Sequence, residues 1–378
     1  MLTKTLFSAL PFFICLVWST VFFLDYRKNN PAKRMLAWLL LACVGLHLSR
    51  VMRIYGNGPD FDLVRCLYIF FTLAIYPLAY LYVRRLTALK PMRKREFWVL
   101  VPALLVCLAA VAAYRFSSIS PRGVILFERI LMPIEAVLLG FYAPRGIREF
   151  RRDMANYYSD RSGHKLRLFA RFILAFTVFS VAKSCVLAFD VDLSSETWVV
   201  ITISSIYAVF SFMLGYLGQQ INFTADEMRL DILREDDLMR QNFSCDDVDD
   251  QENMAGRAPC GNMPPLEEKR INDGIRYAME ENRLFLKPNL KITDLARELC
   301  SNRTYVSDCL NHNFGMSFSD YVNCQRVEYA KQMIESDPDL CIDVVSAEAG
   351  FTSGSAFYRN FRKFTGMTPN DYRHRVQE

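Results

Sequence analysis

Ser355, Arg359, Arg362 and Lys363 are spaced so that a helix brings small and cationic side chains to one face, while Phe357 and Phe361, four apart, occupy the other. Hydroxyl and guanidinium donors on one exposed helix face suit hydrogen bonding to base edges and pairing with phosphates. A second set of ionisable residues has a different setting. His47, Arg50, Glu128, Arg129 and Lys183, with Glu135, stand inside long apolar runs. Charge there is costly and marks either headgroup contact and inter-helix pairing or a binding pocket. Glu128 and Lys183 fall at similar depth, so the pocket reading makes these residues a candidate site for a small signal molecule. Within these apolar runs catalysis has no comparable support: no Gly-x-Ser faces a His there, and no paired Asp motif or zinc-spaced His occurs. The eleven Cys include no C-x-x-C pair and the four His are far apart, so reduced, structural thiols are expected, with no metal and no cofactor.

A helix that presents such a face needs a rigid turn before it, and the sequence supplies that turn twice. The run starting at Ile292 repeats at Ile342, with an offset of fifty for Ile292 to Ile342 and Leu295 to Val345. After the turn the offset is fifty-one, pairing Val306 with Phe357, Leu310 with Phe361, Gly315 with Gly366 and Tyr321 with Tyr372, so one residue is inserted in the second turn. Each copy reads as a short helix, a tight turn and a longer amphipathic helix ending at Gly315 or Gly366, which is helix-turn-helix geometry. Gly350 permits the second turn, and Ser353 or Thr352 can cap the helix that follows. Between the copies, 317–336 predicts one continuous helix of ~30 Å at ~1.5 Å per residue, close to the ~34 Å of one DNA turn. A further helix is expected near 267–282, with Pro288 breaking the chain after it.

These residues resemble the AraC/XylS family of transcriptional regulators over about 290–374, most specifically in GFTSGSAFYRNFRKFTGMTPNDYR. The resemblance implies a seven-helix domain whose helices near 302–313 and 353–364 read DNA. It places base-facing positions on Thr304, Ser307 and Asp308 in the first unit and on Gly354, Ser355 and Arg359 in the second; Arg303, Asn311, Ser353, Arg362 and Lys363 complete the candidate set. The chain departs from the family pattern where Cys300 replaces the turn glycine of the first unit and where Asp308, Asn311 and His312 stand at positions usually basic. Over 266–378 there are fifteen Lys and Arg against seventeen Asp and Glu, but Arg359, Arg362, Lys363, Arg373 and Arg375 concentrate beyond Phe351. A local basic face therefore carries the phosphate attraction.

Upstream the composition changes solvent. The 378 residues are 52% hydrophobic and 22% charged, with a net charge of +5, which is too apolar for one soluble domain and too charged for a chain wholly in lipid. Seven apolar stretches, near 6–24, 35–52, 67–83, 99–114, 124–143, 168–189 and 198–221, suit a hydrocarbon core that takes about 20 helical residues to cross. The first lacks a cleavage site and reads as an uncleaved span. Lys and Arg collect in the first, third and fifth loops (Arg27 to Arg34, Arg84 to Arg95, Arg145 to Arg167), which predicts an outside amino terminus and an inside carboxyl terminus. Residues 222–243 can continue the seventh helix, with Ile221, Ala225, Met228, Ile232 and Met239 at near-heptad spacing that would pair two copies. From Ser244 to Pro265 the run is acidic and then rich in Gly and Pro, as in a flexible tether.

The expected fold is all-α: a polytopic seven-transmembrane helix bundle over 1–221, an acidic cytoplasmic linker over 222–265, and a seven-helix DNA-binding domain with two helix-turn-helix units over 266–378. The expectation that follows is a multi-pass regulator in the cytoplasmic (inner) membrane that binds double-stranded promoter DNA and whose bundle senses a small-molecule or membrane signal. RNA polymerase, the lipid bilayer and a second copy are the further partners it implies. Two other classes fit less: a transporter or membrane enzyme whose helical tail regulates it, disfavoured because Pro11, Pro77, Pro102 and Pro133 do not recur at matched positions, and a membrane scaffold whose tail binds protein.

Overall fold

The structure, a computed structural model, describes residues 2–25, 30–55, 62–116, 121–160, 164–188, 197–221, 223–243 and 264–377. Among these residues it is helical, with one isolated bridge between Tyr158 and Lys291. The chain divides into two compact units, Met1–Phe150 with His164–Arg229, and Arg151–Gly163 with Leu230–Glu378.

The first unit is built from α1 (Leu2–Leu24), α2 (Pro31–Tyr55), α3 (Asp62–Thr87), α4 (Val101–Phe116), α5 (Pro121–Tyr157, its last turns belonging to the second unit), α6 (His164–Ala188) and α7 (Thr197–Gln220). Helix α1 packs on α2 and α7, α2 on α3, and α3 on α4. Among the described residues six stretches, beginning at Thr3, Pro31, Asp62, Lys94, Lys165 and Thr197, are long and apolar enough to cross a membrane. The fifth expected span, 124–143, lies in α5, which is not one of the six; Glu128, Arg129 and Glu135 interrupt its apolar run. Large apolar side chains stand exposed on these helices, among them Leu105, Val178 and Val209, each about 60% accessible.

The seventh helix does not run on into the segment that follows it. It stops at Gln220, and α8 (Ala225–Phe243) starts afresh behind a capping box in which Thr224 N–H donates to Glu227 Oε2 (3.3 Å) and Glu227 N–H donates to Thr224 Oγ1 (3.5 Å). Ile221, Ala225 and Met228, whose spacing offered them to a second copy, are buried, so their apolar area is already spent within the chain. Met239 lies where no side chain is described, as does the expected tether up to residue 263.

From Pro265 the second unit runs α9 (Pro265–Glu280), α10 (Ile292–Glu298), α11 (Arg303–His312), α12 (Phe318–Ser336), α13 (Ile342–Glu348), α14 (Gly354–Thr365) and α15 (Pro369–Gln377). These are the seven α-helices expected there, with α9 placed two residues earlier than its periodicity suggested. Helix α12 serves two cores. Val327, Ala330 and Ile334 join Ile342, Val345, Phe357 and Phe361 in one, while Phe318 and Val322 are buried near its start, as are Leu295, Val306 and Leu310 of α10 and α11. Fully burying side chains of this size contributes roughly 1.5–3 kcal/mol each before chain entropy is set against it.

Candidate nucleic-acid interface

The repeat is visible in the backbone. In the first copy Cys300 N–H donates to Arg297 O (3.1 Å) and Ser301 N–H to Ala296 O (2.9 Å); fifty residues on, Gly350 N–H donates to Ala347 O (3.0 Å) and Phe351 N–H to Ser346 O (3.1 Å). Both turns pivot on a left-handed residue, Cys300 at φ 45° and Gly350 at φ 82°. In the first copy a residue with a side chain thus adopts the conformation that glycine takes in the second, at a steric cost. The offset changes immediately afterwards, because the next helix is capped by Asn302 in the first copy and by Ser353 in the second. Thr352 is therefore the inserted residue, and of the two capping candidates Ser353 is the one used: its Oγ accepts from Ala356 N–H at 3.3 Å. In the first copy Asn302 Oδ1 accepts from Thr304 N–H at 2.9 Å.

On α14, Phe357 and Phe361 are fully buried, and Gly354, Ser355, Arg362 and Lys363 are exposed, with Arg359 half-buried. The helix closes on Gly366 at φ 82°. Lys363 Nζ of this helix lies 2.5 Å from Asp320 Oδ1 of α12. Both side chains are close to half exposed, so the pair contributes ≲ 1 kcal/mol and leaves Lys363 able to exchange partners. On α11, Thr304 is exposed, and Arg303, Ser307, Asp308 and Asn311 are half-buried. Asn311 Nδ2 donates to Ser307 O at 2.8 Å, which occupies one donor of that pair. Burial raises the Asp308 carboxyl above its ordinary range, against the pull of His312. The two candidate faces therefore differ chemically, the second cationic and the first nearly neutral. Helix α12, the spacer between the two units, is 19 residues long, or ~28 Å at ~1.5 Å per residue.

A group of residues that the sequence did not single out ties α12 to the connection between α9 and α10 and to the segment after α5. Arg326 of α12 is fully buried. Its Nε donates to Phe285 O (2.7 Å), its Nη2 to Lys287 O (2.8 Å) and its Nη1 to Asp160 Oδ1 (2.5 Å). Asp160, in the segment after α5, also accepts from Asn289 N–H (2.8 Å). Its neighbour Ser159 donates its N–H to Leu290 O (3.1 Å) and accepts at its carbonyl from Ser319 Oγ and Asn323 Nδ2, both at 2.8 Å. Helix α8 reaches the same connection: Glu235 pairs with Lys291 (3.3 Å) and Arg297 (3.0 Å), and Tyr158 Oη donates to Asp231 (2.5 Å). The only signal in the sequence was an arginine at a buried phase of α12, which called for a partner without naming it.

Of the ionisable residues inside the apolar runs, the structure brings some together. A cavity of ≈ 80 Å³ in the first unit is lined by His47 and Lys183, together with Tyr207. The Arg50 guanidinium carbon lies 5.5 Å from the centre of the Tyr207 ring. Arg50, Glu128 and Arg129 are not among the residues lining the cavity, and Lys183 Nζ donates to Tyr207 Oη (3.0 Å) rather than pairing with Glu128. Among the described residues no cluster of His, Cys, Asp and Glu could hold a metal ion.

Residues 295–375 match a family model described as a helix-turn-helix domain. Over 105 residues the chain is 29% identical to an uncharacterized HTH-type transcriptional regulator, YtdP, of Bacillus subtilis, covering 28% of this chain and 13% of that one. Over 89 residues it is 30% identical to the melibiose operon regulatory protein of Escherichia coli, covering 24% of this chain and 29% of that one. A solved structure from Listeria innocua, of a protein of unknown function, is 28% identical and covers 30% of this chain and 97% of its own, with a TM-score of 0.25. The chain spans less than a third of the length of these curated relatives.

Proposed function

We propose that this protein is a membrane-tethered transcriptional regulator that holds promoter DNA with α11 and α14, while the helices of the first unit sit in the bilayer and carry a signal. The observation that supports it most is the doubled helix-turn-helix. Two turns with the same hydrogen bonds and the same left-handed pivot each lead into a capped helix, and a ~28 Å spacer separates them, which is near one duplex repeat. Regulation of an operon is part of the printed name of one relative, and the AraC-type resemblance agrees with it. The membrane placement rests on six long apolar stretches and on exposed leucines and valines that water would not tolerate over such an area. In this reading the DNA module faces the cytoplasm, RNA polymerase is its neighbour at the promoter, and pairing of two copies is open to any surface other than the buried heptad positions of α8.

The direct test is to map the genomic sites occupied by the intact protein and by Arg359→Ala. A cation facing a base edge is worth about 1–3 kcal/mol, so occupancy is expected to fall with an affinity loss of roughly 5- to 150-fold. An unchanged occupancy map would remove α14 from the groove. A second result should go the other way: Asp308→Asn takes one negative charge from the weaker face and is expected to tighten binding by about two- to fivefold, in line with the few tenths to 1 kcal/mol of a screened surface charge. A titration of the full chain with a mapped fragment, repeated at two salt concentrations, reads that difference; weaker binding by the variant would show that α11 uses the carboxylate as a base acceptor instead.

A further inference from the structure

We infer that the cavity of the first unit is a binding site for a small lipophilic carboxylate, whose head group sits against Lys183, His47 and Tyr207 and whose body lies among phenylalanines. The inference deepens the sensing role proposed above and rests on it only for its biological meaning. Three donors converge on one place. Lys183 Nζ uses a single hydrogen bond, to Tyr207 Oη at 3.0 Å, and among the described residues no carboxylate lies within ion-pair distance of it. His47 is 3% exposed, its ring lies 5.6 Å from that of Tyr207, and its Nδ1 has no hydrogen-bond partner. Arg50 approaches the same tyrosine ring and has one unpartnered buried nitrogen, Nη1. A cation in an apolar bundle that no carboxylate contacts is costly to keep, and the cost is recovered when an anion arrives to share its donors.

The remainder of the wall defines the rest of the ligand. Phe176 and Phe210 meet edge to face at 5.4 Å, and Tyr76 lies 6.2 Å from Phe176. These rings offer dispersion and no further charge, so a second charged group on the ligand would be stranded. At roughly 10–15 Å³ for each water-sized position, the cavity holds about five to eight such groups, the scale of a six-carbon carboxylate.

The full-length protein in phosphatidylcholine nanodiscs would be titrated with hexanoate, with hexan-1-ol as the neutral probe. Saturable hexanoate binding is expected, at least tenfold tighter than that of hexan-1-ol, with Lys183→Met losing that preference and Lys183→Arg keeping it. The arginine variant shows whether a loss reflects missing charge or a damaged bundle. Equal binding of the two probes would assign the site to a neutral ligand and overturn the inference, as would wild-type affinity in Lys183→Met. Abolition of hexanoate binding in discs that contain phosphatidylglycerol would give the site to a lipid headgroup and overturn it as well. The titration contains no DNA, so hexanoate binding without any effect on promoter occupancy would reject the sensing role and leave the site standing.

Discussion

Asp160→Asn is expected to destabilise the second unit by about 3–5 kcal/mol, the usual cost of removing one partner from a buried ion pair. The side chains of Arg326 and Asp160 are 0% and 4% exposed, so water cannot replace the lost charge. The guanidinium also cannot leave, because its other nitrogens hold Phe285 O and Lys287 O. Burial already lowers the Arg326 pKa, and Asp160 is the group that opposes that effect. Hydrogen exchange along α12 in the intact protein is the appropriate readout, because it reports the unit that contains the pair. The double variant Asp160→Asn with Arg326→Met should recover most of the loss, since replacing both partners of a buried pair with neutral groups of similar volume is often nearly neutral. Exchange at the wild-type rate in Asp160→Asn would mean that the charge of Asp160 contributes nothing to holding the module.

Gly350→Ala should be the most damaging replacement among the three glycines of positive φ, at roughly 2–5 kcal/mol, combining about 1–2 for a side chain in the left-handed region with about 1–3 for overpacking. Its added Cβ would lie 2.6 Å from Leu286 O and 2.9 Å from the carbonyl carbon, both backbone atoms that have little room to give. Gly315 and Gly366 share the positive φ, yet nothing lies within 4 Å of a Cβ at either, so the same replacement there costs the backbone penalty alone. Thermal unfolding of the three variants tests the ordering, and a Gly350→Ala melting point no lower than that of Gly366→Ala would refute the close approach. The contrast with Cys300 is instructive. The first copy tolerates a side chain at the equivalent pivot, so it is the approach of Leu286, and not the turn alone, that demands glycine in the second.

Leu286 belongs to the same stretch that Arg326 grips through Phe285 O and Lys287 O. The connection between α9 and α10 is thus held by α12 and by the turn after α13, and Asn289 and Leu290 are tied to Asp160 and Ser159. The segment after α5 is thus fixed to a stretch that also meets the turn after α13.

The amino-acid sequence alone was enough to establish the helical repeat, the change of offset at its turn, the glycine caps at Gly315 and Gly366, the inward Phe357 and Phe361, and most of the apolar spans. Each of these depends on periodicity or on a backbone conformation that few residues accept, so each is written within a few neighbouring positions. Folding in three dimensions decided the rest: that Asp160 and Arg326, 166 residues apart, neutralise each other; that His47 and Lys183 meet at Tyr207 without Glu128; that Ser353 caps where Thr352 does not; and that a cap at Thr224 ends the seventh helix. Partner choice of this kind depends on which buried surfaces come together, and no local pattern carries that information.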